Sequence, residues 1–294
     1  MIDFKLISIE DKDLLNKYLD SRCNKNLCDY NFVNLAIWAE IYNAQWAMFK
    51  DTLIIYNGKD DIFLMPSGCN IDSGRIITLS EEFFKSGYSG NFTLVEKNFV
   101  ESHRIELEKY FEITEDLAFA DYIYSVEKLV ALKGKKLQKK KNLVNQFIKN
   151  KPDYKVLKLE KNLFPECFKI AEEWCASKNC EKIGFSHEKS ALGKAFDNCD
   201  ELNIDGLSIF VQNKMIAFSI FSRMNEEMYD IHFEKFNSDI KGAGQIINFE
   251  TAKYLQDKCK FVNREQDLGL EGLRQAKLSY DPEMIILTCR LIRK

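Results

Sequence analysis

The segment Phe261–Pro282 reads FVNREQDLGLEGLRQAKLSYDP, and it joins a short apolar start to a dense run of polar residues. Phe261 and Val262 begin the segment as a buried strand would. Five polar residues follow directly: Asn263, Arg264, Glu265, Gln266 and Asp267. Because buried charges are costly unless they are paired, we expect this run to be mutually paired or to face a cleft. α/β proteins often place sites where a strand ends and leads into a helix.

A helix is predicted to follow from Leu268 and to end at Tyr280-Asp281-Pro282, because the residue before a proline is pushed out of the α region. Charged residues recur on one face of this helix at helical spacing: Asp267, Glu271, Arg274 and Lys277. Three leucines take positions that can face a core: Leu270, Leu273 and Leu278. The alternative interpretation is a salt-bridged helix on the protein surface.

The composition is that of an acidic globular protein with two ordinary domains or one large one. The 294 residues carry a net charge of −3, and 46% of them are hydrophobic. Bulk charge therefore does not favour nucleic-acid binding, and an anionic partner must be met by a local basic patch.

Cysteine and histidine usage gives no metal motif. The nine cysteines are irregularly spaced without a CxxC pair, and the three histidines lie far apart, so no metal site is predicted. Unpaired thiols at this density indicate a reducing compartment, and no signal peptide is visible, so the predicted location is cytoplasmic. No apolar run reaches the roughly 18 residues that a transmembrane helix needs, so no transmembrane segment is predicted.

The order of predicted elements indicates two similar α/β domains. The second half runs strand, helix, helix, three antiparallel strands, glycine loop, helix, strand, helix, strand. The three antiparallel strands are Gly206–Val211, Met215–Ser222 and Met228–Phe236. This is the order of the GCN5-related acyltransferase (GNAT) fold, and the first half gives a degenerate version of it. We therefore predict two tandem GNAT-like domains, each a mixed central sheet flanked by helices. The predicted segments are a first domain at 1–130, a basic linking helix at 131–152 and a second domain at 153–294.

The tract from Lys128 to Pro152 contains nine lysines and no acidic residue. On the predicted helix three of them, Lys136, Lys139 and Lys140, lie near one another. We expect them to meet phosphates, which can belong to tRNA, an anionic phospholipid headgroup or a nucleotide. The tract has no arginine, which speaks against base-specific recognition. The alternative is a solvated linker helix.

The loop Lys241-Gly242-Ala243-Gly244-Gln245 lies between a predicted strand and a predicted helix. Small residues there let backbone N–H groups approach an anion at the helix start. In GNAT acyltransferases this position cradles the pyrophosphate of coenzyme A, so the five residues are candidates to bind acyl-CoA. A plain helix-start loop is the alternative.

His232 and Glu234 are predicted on one face of the strand YDIHFEKF, because side chains alternate along a strand. Two such residues can act as a base with its orienting group, or as a pair that binds an amine. A histidine with a structural role is the alternative.

Three blocks of the sequence resemble a known family: GKKLQKKKNLVNQFIK, YDIHFEKFNSDIKGAGQIINFE and VNREQDLGLEGLRQAKLSYDP. They are similar to the soluble phosphatidylglycerol lysyltransferase C-terminal-domain-like family. That family is related to bacterial enzymes that move an amino acid from aminoacyl-tRNA to phosphatidylglycerol, and to the Fem transferases. The resemblance covers nearly the whole chain and implies tandem GNAT domains. One departure is Asp281, which stands where the family pattern leads us to expect histidine.

The leading hypothesis is a transferase that moves an acyl or aminoacyl group from a carrier to an amine or hydroxyl acceptor. The expected donor is acyl-CoA or aminoacyl-tRNA, and the acceptor is a small molecule. The candidate catalytic residues are His232, Glu234 and Tyr280, with Tyr280 as the acid towards the leaving group. The candidate substrate-binding residues are Asn263, Arg264, Glu265, Asp267, Glu271, Arg274 and Lys277. In an enzyme, Arg264→Ala is expected to abolish turnover with little change in stability. The alternative is a non-catalytic binding or scaffold protein that uses the inter-domain cleft.

Overall fold

The computed structural model describes residues 2–19, 26–68, 71–178 and 182–294. Its elements in the first half are β1 Lys5–Leu6, α1 Lys12–Leu19, α2 Phe32–Tyr42, β2 Ala44–Phe49, β3 Thr52–Asn57, β4 Ile62–Leu64, β5 Ser67–Gly68, α3 Ser73–Lys85, β6 Phe92–Glu96, α4 Lys97–Leu107 and β7 Phe111–Glu115. The following elements are β8 Asp121–Ser125, α5 Val126–Ala131, α6 Gln138–Asn150, β9 Lys155–Lys158, α7 Phe164–Lys178, α8 Lys182–Asp197, β10 Asp205–Val211, β11 Lys214–Arg223, β12 Met228–Phe236, α9 Ala243–Leu255, β13 Phe261–Asn263, α10 Glu271–Leu278, β14 Met284–Ile286 and β15 Thr288–Arg293.

The chain forms two compact units, and neither is a continuous piece of sequence. Unit 1 consists of Met1–Asp121, Gln266–Leu270 and Ile285–Lys294. Unit 2 consists of Tyr122–Glu265 and Glu271–Met284. These units do not follow the predicted boundaries 1–130, 131–152 and 153–294, because short segments of the second half of the chain belong to unit 1.

Each unit is built on one mixed sheet. The first sheet has the order β1-β2-β3-β4-β6-β15-β7, with β5 beside β3, and the second has the order β14-β8-β13-β12-β11-β10-β9. Both sheets combine antiparallel strands with a parallel pair, which is β4 with β6 in the first and β12 with β13 in the second. The predicted α/β class with two mixed sheets flanked by helices is therefore confirmed.

The strands β8 and β15 explain the discontinuous units. β8 follows β7 along the chain but belongs to the second sheet, where it pairs with β13. The last strand, β15, lies between β6 and β7 of the first sheet. Within β15, Leu291 pairs with Phe92 on one side and with Ile113 on the other. The C-terminal strand is therefore an interior strand of unit 1.

The basic helix α6 is part of the core of unit 2 and does not link two domains. Leu137, Val144 and Phe147 are buried in one cluster with Ile246 and Ile247 of α9. Apolar residues at this helical spacing give α6 a face that must be covered, and α9 covers it. The lysines of the helix lie outside this buried cluster.

The helix after β13 is shorter than predicted and buries a different residue. α10 begins only at Glu271, so Asp267 precedes it, and the leucines expected to face a core are exposed. The exposed fractions are 60% for Leu270, 37% for Leu273 and 45% for Leu278. Lys277 is buried instead, because its Nζ donates to the carbonyl oxygens of Arg264 and Glu265. A buried ammonium that is hydrogen-bonded in this way anchors the helix through a polar contact.

No helix in the described part of the chain combines the length and the apolar character needed to cross a bilayer.

Candidate functional site

The strands β12 and β13 part within unit 2, and this makes room for polar side chains. Their parallel register covers three residue pairs and ends with Asp230 opposite Asn263. β12 then continues to Phe236, whereas β13 stops at Asn263. The residues just beyond this point on both segments are charged or titratable: His232 and Glu234 on one, Arg264 and Glu265 on the other.

Arg264 lies at the centre of a group that we call the Arg264 cluster, formed by Arg264, Glu234, Tyr124, Tyr280 and Lys140. Arg264 Nη2 donates to Glu234 Oε1 at 2.8 Å, and the two side chains are only 15% and 12% exposed. The guanidinium carbon lies 4.9 Å from the ring centre of Tyr280 and 5.5 Å from that of Tyr124. Lys140 Nζ lies 4.1 Å from the Tyr280 ring centre. Two cations and one carboxylate leave the cluster with an excess positive charge, which suits an anionic group or a developing oxyanion.

The environment fixes the protonation of the cluster. Burial opposes the charged form of Arg264, but Glu234, Tyr124 and Tyr280 together outweigh it and raise the pKa of the guanidinium. Burial also raises the pKa of Tyr280, against the effect of Arg264, so its hydroxyl is protonated at neutral pH. Burial and the charge of Arg264 lower the pKa of Lys140. The cluster thus holds a charged guanidinium beside a protonated phenol.

Two residues that the sequence did not point to support this cluster. Asn248 of α9 donates from Nδ2 to Glu234 Oε2 at 3.3 Å. Tyr124 of β8 donates from its hydroxyl to the carbonyl oxygen of Lys277 at 2.9 Å. Tyr124 was missed because its strand lies far away in sequence and enters the second sheet from the first half of the chain.

His232 is the extra residue of a β-bulge. The register of β11 and β12 passes from Ile220 opposite Phe233 to Phe221 opposite Ile231, which leaves His232 between them. Bulges often re-aim a side chain next to a site. Burial lowers the pKa of the His232 imidazole, against the effect of Asp230, so the ring is neutral at neutral pH.

The predicted pairing of His232 with Glu234 needs correction. His232 Nε2 lies 2.8 Å from Ser222 Oγ, and its Nδ1 lies 3.3 Å from Glu265 Oε1. Glu234 is held by Arg264 and Asn248 instead. The bulge gives each of the two residues its own partners.

The glycines of the loop Lys241–Gln245 are used for packing. Gly242 has φ +87°, and a Cβ there would lie 3.1 Å from the carbonyl oxygen of Leu143 in α6. A Cβ on Gly244 would lie 2.7 Å from the ring of Phe236. The two glycines therefore let the backbone of this loop pack closely against α6 and β12. At the end of the loop, the side chain of Gln245 hydrogen-bonds the Tyr280 hydroxyl and so joins the Arg264 cluster.

The other predicted substrate-binding residues lie around the cluster or away from it. Asn263 accepts the backbone N–H of Glu265 at 2.7 Å and so shapes the turn after β13. Lys277 holds the backbone of the same turn. Asp267 is a buried residue of unit 1 that accepts the N–H of Gly269, and Glu271 is exposed beside Gln275. Arg274 is half-buried.

The three predicted phosphate-binding lysines have different surroundings. Lys136 Nζ donates to Asp281 Oδ1 at 2.6 Å, so the residue that departs from the family pattern neutralises one of them. Lys139 is exposed. Lys140 turns towards Tyr280 in the Arg264 cluster. Of these three, Lys139 is the one that faces solvent with its charge available.

Comparisons with known proteins match this architecture. The sequence profile of the family "Phosphatidylglycerol lysyltransferase, C-terminal" matches residues 21–287. A crystal structure of a conserved protein of unknown function from Bacteroides thetaiotaomicron is 34% identical, with a TM-score of 0.90 over 100% of both chains. The structure of L-PGS from Bacillus licheniformis is 13% identical, with a TM-score of 0.63 over 97% of this chain and 92% of that one.

A structure of FemX is 8% identical, with a TM-score of 0.59 over 99% of this chain and 97% of that one. These likenesses confirm the predicted tandem GNAT-like fold. A curated relative, an uncharacterised protein of Mycoplasmoides gallisepticum, is 24% identical over 168 residues. That match spans about half of the relative, 54% of its length, and 56% of this chain.

Proposed function

This chain belongs to the phosphatidylglycerol lysyltransferase C-terminal family, and from that premise we propose that it transfers an acyl or aminoacyl group from a carrier to an amine or hydroxyl acceptor. The carrier is aminoacyl-tRNA or acyl-CoA. The observation that supports the proposal most directly is the buried Arg264–Glu234 pair beside Tyr280, at the point where β12 and β13 part.

The reaction is a substitution at a carbonyl carbon. The acceptor nitrogen or oxygen attacks, and a new C–N or C–O bond forms. The C–O bond to tRNA or the C–S bond to coenzyme A breaks, and the proton of the acceptor passes to the leaving oxygen or sulfur. Such a reaction needs a group that stabilises the developing oxyanion, a proton donor for the leaving group and good positioning.

The Arg264 cluster offers each of these functions. The Arg264 guanidinium carries a permanent charge that can stabilise the oxyanion. The protonated hydroxyl of Tyr280 can donate to the leaving group. Glu234 accepts from Arg264 and so positions the guanidinium, and Asn248 holds Glu234 in place.

Carrier phosphates would meet the lysines of α6 and of the turn before it. Lys133, Lys135 and Lys139 are exposed there, and the first turn of α6 carries no acidic residue. Binding of a polyanion to such a surface weakens as salt rises, because counterions compete for the phosphates. The tRNA carrier therefore predicts salt-sensitive binding.

The test measures binding and transfer with the same protein preparation. Thermal unfolding is followed with acetyl-CoA, with charged tRNA and with uncharged tRNA, each at two salt concentrations, since a ligand of the folded state raises the melting temperature. Transfer is then followed with a radiolabelled acyl or aminoacyl group. Product is sought in phosphatidylglycerol vesicles and in a mixture of small amines and alcohols.

Two variants of the cluster are compared with one matched control. We expect Tyr280→Phe and Glu234→Gln to lower the transfer rate by about 10²–10³-fold, because the first removes the proton donor and the second removes the carboxylate that positions Arg264. Tyr154→Phe removes the hydroxyl of another tyrosine in unit 2, one that donates to Glu250 at 2.7 Å, and should leave the rate unchanged. Equal rates in all three variants would refute the roles given to the cluster. A ligand that raises the melting temperature without any label transfer would favour the non-catalytic binding protein.

A further inference from the structure

Asp230, His232 and Glu265 converge beside the end of β13, outside the Arg264 cluster. One potential ligand atom of each residue lies within 4.8 Å of those of the other two. His232 Nδ1 is 3.3 Å from Glu265 Oε1 and 3.8 Å from Asp230 Oδ2. The Asp230 and His232 side chains are 0% and 1% exposed and that of Glu265 is 22% exposed, so solvent reaches the group from the Glu265 side.

These separations suit a metal ion shared by the three side chains. A first-row divalent ion binds imidazole nitrogen and carboxylate oxygen at about 2.0–2.2 Å, which places its ligand atoms about 3–4 Å apart. The two separations from His232 Nδ1, 3.3 Å and 3.8 Å, lie in this range. One imidazole with two carboxylates is a ligand set for Mn²⁺, Fe²⁺ or Zn²⁺, and two carboxylate charges balance a divalent ion.

Contacts behind the ligands hold them in position. Ser222 Oγ lies 2.8 Å from His232 Nε2, which turns Nδ1 towards the two carboxylates. Metal-binding histidines commonly have such a partner on the second ring nitrogen. The bulge in β12 places His232 at this point, and Ser222 lies directly opposite Asp230 in the register.

Glu265 is held in an unfavourable backbone conformation. Its φ is +56°, in the left-handed region that costs free energy for a residue with a side chain. Asn263 Oδ1 accepts the Glu265 N–H at 2.7 Å, and Lys277 Nζ donates to the Glu265 carbonyl oxygen at 3.1 Å. The chain thus fixes a strained turn whose effect is to aim the Glu265 carboxylate at His232.

We propose that Asp230, His232 and Glu265 bind a divalent transition-metal ion that ties β12 to the segment after β13. The ion would connect these segments where their backbone pairing ends. This metal site is independent of the transferase reaction, because it uses other residues and its test measures metal binding alone.

The test uses Mn²⁺ as the probe, because thiolates prefer softer metals and the chain has nine cysteines. The full chain is treated with a chelator, and Mn²⁺ is then titrated while the electron paramagnetic resonance signal of the free ion is followed. We expect one ion per chain. Electron spin-echo modulation should show coupling to one imidazole nitrogen.

Isosteric variants locate the site. Asp230→Asn and Glu265→Gln should each weaken Mn²⁺ binding by at least about 10-fold, and Ser222→Ala should weaken it about 10-fold through the orientation of His232. Glu234→Gln also replaces a carboxylate with an amide, on the same strand as Asp230 but outside the site. This variant should bind Mn²⁺ like the parent protein. This control also separates the two proposals, since we expect it to impair transfer but not metal binding.

Each outcome decides the matter. Absence of binding by Mn²⁺, Fe²⁺ and Zn²⁺ would overturn the proposal, as would binding that Asp230→Asn and Glu265→Gln leave unchanged. If Asp230→Asn fails to fold by circular dichroism, Glu265→Gln decides alone, because Glu265 is partly exposed and tolerates the change better.

Discussion

At the scale of single residues, burial of the ion pair of Arg264 and Glu234 changes the effect that we expect from a substitution at Arg264. The pair joins β12 to the turn after β13 and is nearly closed off from solvent. The sequence suggested that Arg264→Ala would affect turnover and leave stability nearly unchanged. Removing one partner of a buried pair, however, leaves the other charge uncompensated.

We therefore expect Arg264→Ala to lower the free energy of unfolding by about 3 kcal/mol or more. Urea denaturation of the variant and its parent measures this difference. Arg104→Ala is the control, because Arg104 pairs with Glu108 on an exposed helix surface with 44% and 52% exposure. Its loss should cost far less stability, because solvent screens an exposed ion pair. Equal costs at both positions would show that burial of the Arg264 pair has no energetic consequence.

Asp29 in unit 1 predicts a dependence of stability on pH. The pKa of Asp29 is raised to about 7, mainly by burial and secondly by the nearby charge of Asp121. Gln266 donates to its carboxylate, and Cys28 Sγ lies 3.6 Å from it. The folded state thus holds this proton more tightly than the unfolded chain, in which the pKa is about 3.9.

The free energy of unfolding should therefore fall as the pH rises from about 4 to about 7. Above that range Asp29 causes no further decrease. Between pH 5 and pH 8 the loss is about 2–3 kcal/mol. Asp29→Asn should remove most of this slope, because an amide does not titrate and can still accept from Gln266. Urea denaturation at four pH values checks it. A slope that persists in the variant would contradict the assignment to Asp29.

At the scale of elements, the start of α9 depends on Gly242. Its φ of +87° disfavours a side chain, and so does the carbonyl oxygen of Leu143, which would lie 3.1 Å from a Cβ at this position. We expect Gly242→Ala to lower the free energy of unfolding by about 1–3 kcal/mol. Gly272→Ala in α10 is the matched control, since nothing lies within 4 Å of a Cβ there. Alanine favours the helix at that position by up to about 1 kcal/mol. Thermal unfolding of both variants should move in opposite directions, and a shared direction would count against the packing argument.

The sequence predicted elements best where turn residues bound a short apolar run. The antiparallel strands predicted at Gly206–Val211, Met215–Ser222 and Met228–Phe236 are close to the observed β10, β11 and β12. Most residues of these strands are buried, and turn residues between them mark where each strand ends. In α10 the buried residue is Lys277 and not the predicted leucines, because Lys277 donates to carbonyl oxygens that only the folded turn provides.

The candidate site was predictable only in part, because a local pattern shows a polar run but not its partners. The polar run after β13 drew attention to Arg264 and Glu265 without any knowledge of their partners. Tyr124 gave no local signal, because its place depends on which sheet β8 joins. The bulge at His232 was also hidden, since a single extra residue in a strand has no pattern of its own.

At the scale of the whole molecule, the position of β15 predicts how fragments behave. The segment 1–130 was expected to be a domain, yet the first sheet needs β15 between β6 and β7. We expect residues 1–130 expressed alone to lack a cooperative thermal transition, because two strand edges in the middle of the sheet stay unpaired. Circular dichroism of this fragment, and of the same fragment with 285–294 supplied as a peptide, tests the expectation. A sharp transition in the fragment alone would show that β15 is dispensable.

The placement of β15 also sets an order of events during protein synthesis. Translation delivers β6 and β7 long before β15, so the nascent first sheet stays incomplete while the intervening residues are made. For that whole interval two interior strands expose hydrogen-bonding edges to their surroundings, where general chaperones compete with aggregation. We expect slower elongation through the second half of the gene to lengthen this interval.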